Sequence, residues 1–262
     1  MITSVRNPLI RRIRRLRHKK HRQREGVFFV EGIRPVLAAV ETGAAVETIV
    51  YAEGLLTSEL AWTMLAHQRT AGTEVVALSP DVFAAISERE NPVGLGAVVR
   101  TGITALGDLP AVSHGLYVAL FDVGEPGNLG TIVRTVDAVG GSGIILVGQT
   151  VDAFHPTAVK ASMGALFTVP IGQVEAGSVL LRWAADRGLQ TVATSAQAPV
   201  SFWTASYHPP VLLMMGSEGP GLDPAIRAAA DLQVAIPMYG AATSLNLAVA
   251  TGVLLYDYRR RN

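Results

Sequence analysis

Short apolar runs alternate along the chain with stretches in which apolar residues recur every three or four positions. A short run that is apolar throughout is typical of a buried strand, and the longer spacing is typical of a helix with one packed face. Strands are expected over 27–31, 47–51, 74–78, 94–100, 116–121, 143–147, 189–194, 211–215 and 233–236. Helices are expected over 32–42, 58–70, about 129–139, 174–186, 223–230 and 245–258, and one more begins at Pro80 behind a Ser79 cap. Apolar strands that alternate with helices predict the α/β class, with a parallel sheet covered on both faces.

The stretch 101–115 breaks this pattern, because it holds Gly, Pro, Asp and Ser residues without periodicity. Such a stretch is typical of a linker. The sequence therefore predicts a basic helix over 1–22, a small α/β domain over 23–101, a linker over 102–114 and a larger α/β domain over 115–262.

Charge is distributed very unevenly along the chain. The net charge is only +1, but residues 1–25 hold ten Lys or Arg and one Glu, so a segment of +9 precedes a body of −8. A basic segment of this density favours a polyanion partner, and its phosphate contacts would give salt-dependent affinity without base preference. The candidate RNA-binding side chains are Arg11, Arg12, Arg14, Arg15, Lys19, Lys20 and Arg22.

Within the same segment, Leu9, Ile10, Ile13 and Leu16 recur at helical spacing, which predicts an amphipathic helix with one docked face. A solvated surface helix or a flexible basic tail would carry the same charges. An anionic membrane is a weaker alternative, because the apolar stripe is thin and lacks aromatic residues. The segment also lacks the apolar core of a secretory signal, and no apolar run in the chain reaches the roughly 18 residues of a membrane helix.

Composition narrows the possible chemistry. Hydrophobic residues make up 49% of the chain and charged residues 16%, which is typical of a globular protein with a substantial core. The chain has no cysteine, so disulfides, thiolate zinc sites and a cysteine nucleophile are excluded. The lack of cysteine fits a reducing cytoplasm, which is the expected location.

Three loops, each after an expected strand, hold the candidate chemistry at the edge where parallel α/β sheets bind ligands. The first, 122–131, has three glycines and Asn128 in position to cap the next helix, with Arg134 one or two turns further on. Its glycine spacing fits neither the dinucleotide-binding motif nor the P-loop. A tight turn followed by a surface arginine explains this loop equally well.

The second loop, 213–222, surrounds Glu218 with three glycines and a proline, so a flat ligand such as adenine could approach the backbone closely. The third, 236–250, places Ser244 and Asn246 at the start of an apolar helix, where unpaired N–H groups favour an anion. An ordinary turn and a helix capped by Ser244 are the structural alternatives.

Taken together, the three loops resemble the three motifs of the SpoU/TrmH family of ribose 2′-O-methyltransferases in the SPOUT superfamily. The matching stretches are PGNLGTIVRTVDAVG (126–140), LLMMGSEGPGL (212–222) and IPMYGAATSLNLAVA (236–250), and the segment ASMGALF (161–167) is also similar. The resemblance covers about 115–258. Residues 20–40, KHRQREGVFFVEGIRPVLAAV, resemble less specifically the N-terminal substrate-binding domain that many of these enzymes carry.

The resemblance implies a parallel α/β methyltransferase domain with a C-terminal trefoil knot, assembled as a homodimer. It implies S-adenosylmethionine as cofactor, held mainly by main-chain groups of Met215, Gly216, Ser217, Ile236 and Leu245. The catalytic residues that it implies are Arg134, Asn128, Glu218, Ser244 and Asn246. No metal is expected, because the sulfonium methyl group is already activated.

The implied reaction is methylation of a ribose 2′-hydroxyl, whose barrier falls through in-line positioning and help with the hydroxyl proton. Because a guanidinium stays protonated, Arg134 is expected to bind the hydroxyl or an adjacent phosphate and stabilise the developing alkoxide. Asn128, Glu218 and Asn246 are expected to hold Arg134 in place.

The N-terminal domain implies RNA, and specifically large-subunit (23S) ribosomal RNA, as substrate. The alternatives are a tRNA 2′-O-methyltransferase, an antibiotic-resistance rRNA methyltransferase and a non-catalytic RNA-binding protein. A nucleotide-dependent oxidoreductase is opposed by the glycine spacing of the first loop.

Overall fold

The computed structural model describes all residues 1–262, and the chain divides into two compact units. The first unit consists of Met1–Gly102 and Phe154–Thr168, and the second of Ile103–Ala153 and Val169–Asn262. The helices are α1 (Pro8–Arg15), α2 (Lys19–Glu25), α3 (Ile33–Glu41), α4 (Glu59–Thr70), α5 (Pro80–Ile86), α6 (Pro126–Ala138), α7 (Pro156–Ser162), α8 (Gly177–Asp186), α9 (Pro224–Ala228) and α10 (Leu247–Arg261). The strands are β1 (Val27–Glu31), β2 (Val46–Tyr51), β3 (Glu74–Ala77), β4 (Leu95–Arg100), β5 (Leu116–Phe121), β6 (Gly143–Val147), β7 (Ile171–Val174), β8 (Gln190–Thr194), β9 (Val200–Ser201), β10 (Val211–Met215) and β11 (Leu232–Ala235). None of the helices is both long and apolar enough to cross a membrane.

The first unit is built on a four-stranded sheet of order β1-β4-β2-β3. β4 runs antiparallel to both β1 and β2, whereas β2 and β3 are parallel. Ile10, Ile13 and Leu16 are buried in one core with Val98 of β4 and Phe83 of α5. The predicted docked face of the basic segment is therefore confirmed.

The basic segment is two helices rather than the single helix that the sequence predicts. The chain leaves α1 at Leu16 and enters α2 after His18. The guanidinium Nη1 of Arg22 donates to the backbone carbonyls of Leu16 and Arg17, at 2.8 Å each. The last carbonyls of a helix have no intrahelical partner, so this buried arginine stabilises the break.

Residues 154–168 join the first unit, which differs from the predicted domain boundaries. The rings of Phe154 and Phe167 lie 4.8 and 6.0 Å, between centroids, from the ring of Phe28 in β1. Gly164 approaches α3 so closely that an added Cβ would lie 3.0 Å from the Cβ of Ala38. Hydrophobic periodicity identifies an element but does not say which core the element joins, so the sequence assigns this segment to the second domain.

The second unit is built on a seven-stranded sheet of order β7-β6-β5-β10-β8-β11-β9, in which every pairing is parallel. β5 and β10 are neighbours near its centre, and all their residues are buried. Because successive side chains of a strand point to opposite faces, strands that are buried at every position show that both faces of the sheet are covered. The predicted parallel α/β sheet is confirmed.

A hydrogen-bonded pair connects β8 to the start of β11. The carboxylate of Asp231 accepts from the hydroxyl of Thr191 at 2.6 Å and from its backbone N–H at 2.7 Å. The backbone N–H of Asp231 in turn donates to the Thr191 hydroxyl at 2.9 Å. These bonds favour the charged carboxylate and hold the pKa of Asp231 below its usual range. They fix where β11 begins, and therefore where the loop after β11 starts.

In two helices the capping position differs from the one that the sequence indicates. α6 begins at Pro126, so Asn128 lies inside its first turn and not at the cap. Proline is well tolerated at the first helical position, because the N–H that it lacks would be unpaired there. α10 is capped by Asn246 and not by Ser244. The sequence pattern also misses β7, α7 and β9, which are only four, seven and two residues long.

Candidate active site

A concave site of the second unit lies at the carboxyl edge of its parallel sheet. Its cavity volume is about 650 Å³. The walls come from the loops after β8, β10 and β11 and from the first turns of α10. Loops at this edge are the usual ligand sites of parallel α/β sheets.

The turn after β10 has a shape that only glycine allows at its first position. A Cβ added to Gly216 would lie 2.6 Å from the Cα of Gly221, and closer still to the carbonyl carbon of Gly221 and the backbone nitrogen of Leu222. The N–H of Gly221 donates back to the carbonyl of Ser217 at 3.2 Å, which closes the turn. The backbone of this turn therefore forms part of the pocket wall without intervening side chains.

A chain of hydrogen bonds joins the three predicted loops. The side-chain amide of Asn246 donates to Oδ1 of Asn128 at 3.0 Å, and the amide of Asn128 donates to the carboxylate of Glu218 at 2.7 Å. The other oxygen of Glu218 accepts from the backbone N–H of Gly124 at 3.4 Å. The structure thus brings Asn128, Glu218 and Asn246 together, as the family resemblance implies.

Asn246 has a second structural role at the same position. Its Oδ1 accepts from the backbone N–H groups of Ala248 and Val249, at 2.9 and 3.3 Å. These N–H groups belong to the first turn of α10, where intrahelical acceptors are missing. One side chain therefore caps α10 with its oxygen and bonds to the first turn of α6 with its nitrogen.

All the residues expected to contact the cofactor line this pocket. They are Met215, Gly216, Ser217, Ile236 and Leu245, and the expected catalytic residues Glu218, Ser244 and Asn246 line it as well. The sequence reasoning missed the wall after β8, where Ser195 accepts a hydrogen bond from Arg227 at 3.0 Å. The rule that ligands bind at the carboxyl ends of strands would have found it, because this wall directly follows an expected strand.

Arg134 is the exception among the expected catalytic residues. It is exposed on α6 and does not line the pocket of its own chain, and its side chain makes no hydrogen bond or ion pair. The expectation that Asn128, Glu218 and Asn246 hold Arg134 in place is therefore wrong within one chain. Those three residues bond to one another and to the backbone.

The predicted RNA-binding side chains of the first unit divide into two that already bond within the protein and five that are exposed. Arg22 is only 2% exposed and donates to backbone carbonyls, so its prediction as a phosphate ligand is wrong. Arg12 forms ion pairs with Glu25 at 2.8 Å and with Glu47 at 2.9 Å. The hydrogen bond from Arg12 holds the pKa of Glu25 below its usual range. Five others are exposed: Arg11, Arg14, Arg15, Lys19 and Lys20.

The fold and the pocket define an α/β protein with a cavity between backbone turns at the carboxyl ends of parallel strands. The SpoU rRNA methylase family model matches residues 115–256, and the MRM3-like substrate binding domain model matches residues 7–97. The chain belongs to the SpoU rRNA methylase family, which confirms the resemblance found in the three loops.

Several relatives match over nearly their whole length. A 23S rRNA (uridine(2479)-2′-O)-methyltransferase of Streptomyces viridochromogenes is 34% identical over 94% of this chain and 87% of its own. The 23S rRNA (guanosine(2553)-2′-O)-methyltransferase RlmP of Bacillus subtilis is 31% identical over 98% of both chains. The crystal structure of an AdoMet-bound rRNA methyltransferase from Sinorhizobium meliloti is 37% identical, with a TM-score of 0.91 over 99% of this chain and 97% of that chain.

Proposed function

We propose that this protein transfers a methyl group from S-adenosylmethionine to a ribose 2′-hydroxyl of RNA, with 23S ribosomal RNA as substrate. The observation that carries the proposal is the hydrogen-bonded chain Asn246–Asn128–Glu218, which joins three loops around one pocket. Full-length relatives named as 23S rRNA 2′-O-methyltransferases support the substrate, and an AdoMet-bound relative supports the cofactor. Ribosomal RNA as substrate agrees with the cytoplasmic location expected from the sequence.

The residues of the pocket fit a cofactor with a flat adenine ring and an apolar portion. Gly216 leaves backbone atoms bare at the wall, so an adenine edge can meet main-chain N–H and C=O groups directly. Met215, Ile236 and Leu245 add apolar surface beside that backbone. Bound S-adenosylmethionine supplies a methyl group that its sulfonium already activates. The protein then has to bind the donor, align the ribose oxygen and help with its proton.

Glu218, Asn128 and Asn246 act in this proposal by fixing the relative positions of the three loops. Ser244, in the loop that leads into α10, lies in the pocket wall and completes the set. The stabilising charge comes from Arg134, whose guanidinium binds the 2′-hydroxyl or its neighbouring phosphate and stabilises the developing alkoxide. Because Arg134 is outside the pocket of its own chain, a second copy has to supply it.

A homodimer formed through α6 and α10 would place Arg134 of one copy at the pocket of the other. α6 and α10 pack against each other, and α10 also presents the exposed apolar side chains of Val249 and Tyr256. Exposed apolar side chains on one helix are typical of a surface that another molecule covers. Arg134 and this surface therefore belong to one proposed dimer face.

Mixed dimers test this arrangement. Arg134→Ala lacks the guanidinium, and Gly216→Ala has a weakened donor pocket, so each homodimer has low activity at a limiting concentration of S-adenosylmethionine. Mixing the two variants yields dimers with one complete site only if Arg134 acts across the interface. Activity that returns on mixing supports the proposal, and no return would refute action across the interface.

The trefoil knot implied by the family is also proposed for this chain. In chain order β10 enters the sheet between β5 and β8, β11 then pairs on the far side of β8, and α10 returns to pack on α6. The C-terminal helix thus ends beside α6, the helix that follows β5, and this return supports a threaded C-terminal segment. Single-molecule stretching should give an unfolded chain shorter than its 262 residues allow, and a full-length extension would exclude the knot.

In this proposal the exposed Arg and Lys side chains of the first unit bind RNA phosphates, whatever the base sequence.

The decisive assay is transfer of labelled methyl groups to 23S rRNA and to tRNA, followed by mapping of ribose methylation. We expect one position of 23S rRNA to be labelled. Arg134→Lys and Arg134→Ala should both lower kcat by about 10²–10³ with the donor Kd unchanged, as for loss of one transition-state donor. Methylation confined to tRNA would contradict the substrate, and wild-type kcat in both variants would contradict the role of Arg134.

A further inference from the structure

Two aromatic side chains lie stacked on the surface of the second unit. Trp203 is 53% exposed and Tyr239 is 82% exposed. Their ring centroids are 6.2 Å apart, and the ring planes differ by only 21°. Large aromatic rings left in water contribute little to the stability of the fold, so such a pair is typical of a binding surface.

The pair lies at the same sheet edge as the cofactor pocket. Trp203 follows β9 and Tyr239 follows β11, and these two strands are parallel neighbours with Ala235 paired to Ser201. Met238, the residue directly before Tyr239, lines the pocket. The aromatic surface is therefore continuous with the site that is proposed to hold the methyl donor.

The backbone beneath Trp203 is held in place from the C-terminal helix. The guanidinium of Arg261 donates to the carbonyls of Phe202 at 3.2 Å, of Ala205 at 3.1 Å and of Trp203. Arg261 is also ion-paired at 3.0 Å with Asp257, whose side chain is only 7% exposed. The backbone that carries Trp203 is therefore held in place before any ligand arrives, which lowers the entropic cost of binding.

We propose that Trp203 and Tyr239 form a platform on which an unpaired base of the RNA substrate stacks beside the methylation site. The inference rests on the proposed RNA methyltransferase activity. Proteins read RNA mostly through unpaired bases that are splayed out and stacked on aromatic side chains. Because Tyr239 is open on most of its surface, it lacks the enclosure that an adenine site of the cofactor requires.

Alanine variants test the platform through the affinity for RNA. Trp203→Ala and Tyr239→Ala should each raise the KM for the RNA substrate by about five-fold or more, since one base–aromatic stack contributes about 1–3 kcal/mol. The Kd for S-adenosylmethionine and the dimer mass should stay at wild-type values. Trp203→Phe and Tyr239→Phe should retain most of the affinity, because they keep a ring. Val179→Ala, an exposed apolar residue on α8 of the same unit, is the matched control and should change nothing.

A binding measurement separates this inference from the proposed activity. Quenching of Trp203 fluorescence by a single-stranded oligoribonucleotide needs no methyl transfer, and a Trp62→Phe background removes the other partly exposed tryptophan. Quenching by single-stranded and not by duplex RNA supports the platform even if no RNA is methylated. Unchanged KM in the Trp203→Ala/Tyr239→Ala double variant overturns it. Loss of donor affinity, or dissociation of the dimer, in that variant also overturns it, because the rings would then serve the cofactor or the subunit interface.

Discussion

Replacing Gly216 with alanine puts a methyl group into space that the backbone of the same turn already fills. The new Cβ would lie 2.6 Å from the Cα of Gly221, whereas ordinary contacts of a Cβ are 3.4–4 Å. Two further backbone atoms, the carbonyl carbon of Gly221 and the nitrogen of Leu222, would lie closer still, so the turn after β10 has to open by more than about 1 Å. Overpacking of this kind costs about 1–3 kcal/mol. Because this turn is part of the pocket wall, the same movement displaces backbone groups that are proposed to bind the donor.

We expect Gly216→Ala to bind S-adenosylmethionine about ten-fold more weakly or worse, which corresponds to about 1.4 kcal/mol and to one or two misplaced hydrogen bonds. Isothermal titration gives the Kd, and denaturant unfolding gives the stability. Gly240→Ala is the matched control, because its added Cβ meets no atom within 4 Å in the loop after β11. A Gly216→Ala protein with wild-type donor affinity and stability would refute the close-packed turn.

Three further predictions concern the helix cap, the β8–β11 connection and the basic segment. Asn246→Ala removes the cap of α10 and should cost about 0.5–2 kcal/mol of stability. Asn246→Asp should keep the cap but lose methyl transfer, because a carboxylate cannot donate to Asn128 in the first turn of α6. Equal stability of both variants in urea would contradict this prediction. Thr191→Val should lower stability at neutral pH by up to about 1 kcal/mol, since Asp231 is exposed. The pKa of Asp231 is lower in the folded than in the unfolded protein, so this stabilisation is complete above the ordinary pKa of about 3.9. It is lost as the pH falls through the folded pKa. The unfolding curves of the wild type and of Thr191→Val should therefore converge in acid. Arg14→Gln should reduce the slope of log K for RNA binding against log salt concentration by about 0.7–0.9, without loss of stability. Arg22→Gln should instead cost about 1–3 kcal/mol of stability, because Arg22 is buried. The same phenotype for both variants would be inconsistent with their different burial.

The sequence was most informative where one local structure restricts the residue type at every position. The apolar runs 116–121 and 211–215 coincide with β5 and β10, because strands buried on both faces leave no position for a polar residue. The three loops were found because their glycines and polar residues follow such strands directly. The three loops lie at the same edge because the strands before them are parallel, and the hydrogen bonds of Asn128 join them there.

Other features depend on contacts that a linear pattern does not contain. Arg22 looks like its exposed neighbours in the sequence, but it lies beneath the break between α1 and α2. The placement of Arg134 outside the pocket depends on which face of α6 packs inward, and its sequence motif carries no such information. Trp203 escaped notice because it follows β9, a strand too short to show a period.

The first unit is discontinuous in the sequence, which affects both its folding during synthesis and the choice of fragments that can fold. Phe28 in β1 is covered by Phe154 and Phe167, which are translated more than a hundred residues later. On the ribosome this unit stays unfinished until residue 168 has emerged, long after its own sheet is complete. A fragment ending at residue 102 would expose that aromatic surface to solvent, so exchanging N-terminal units between relatives requires transplanting 154–168 as well.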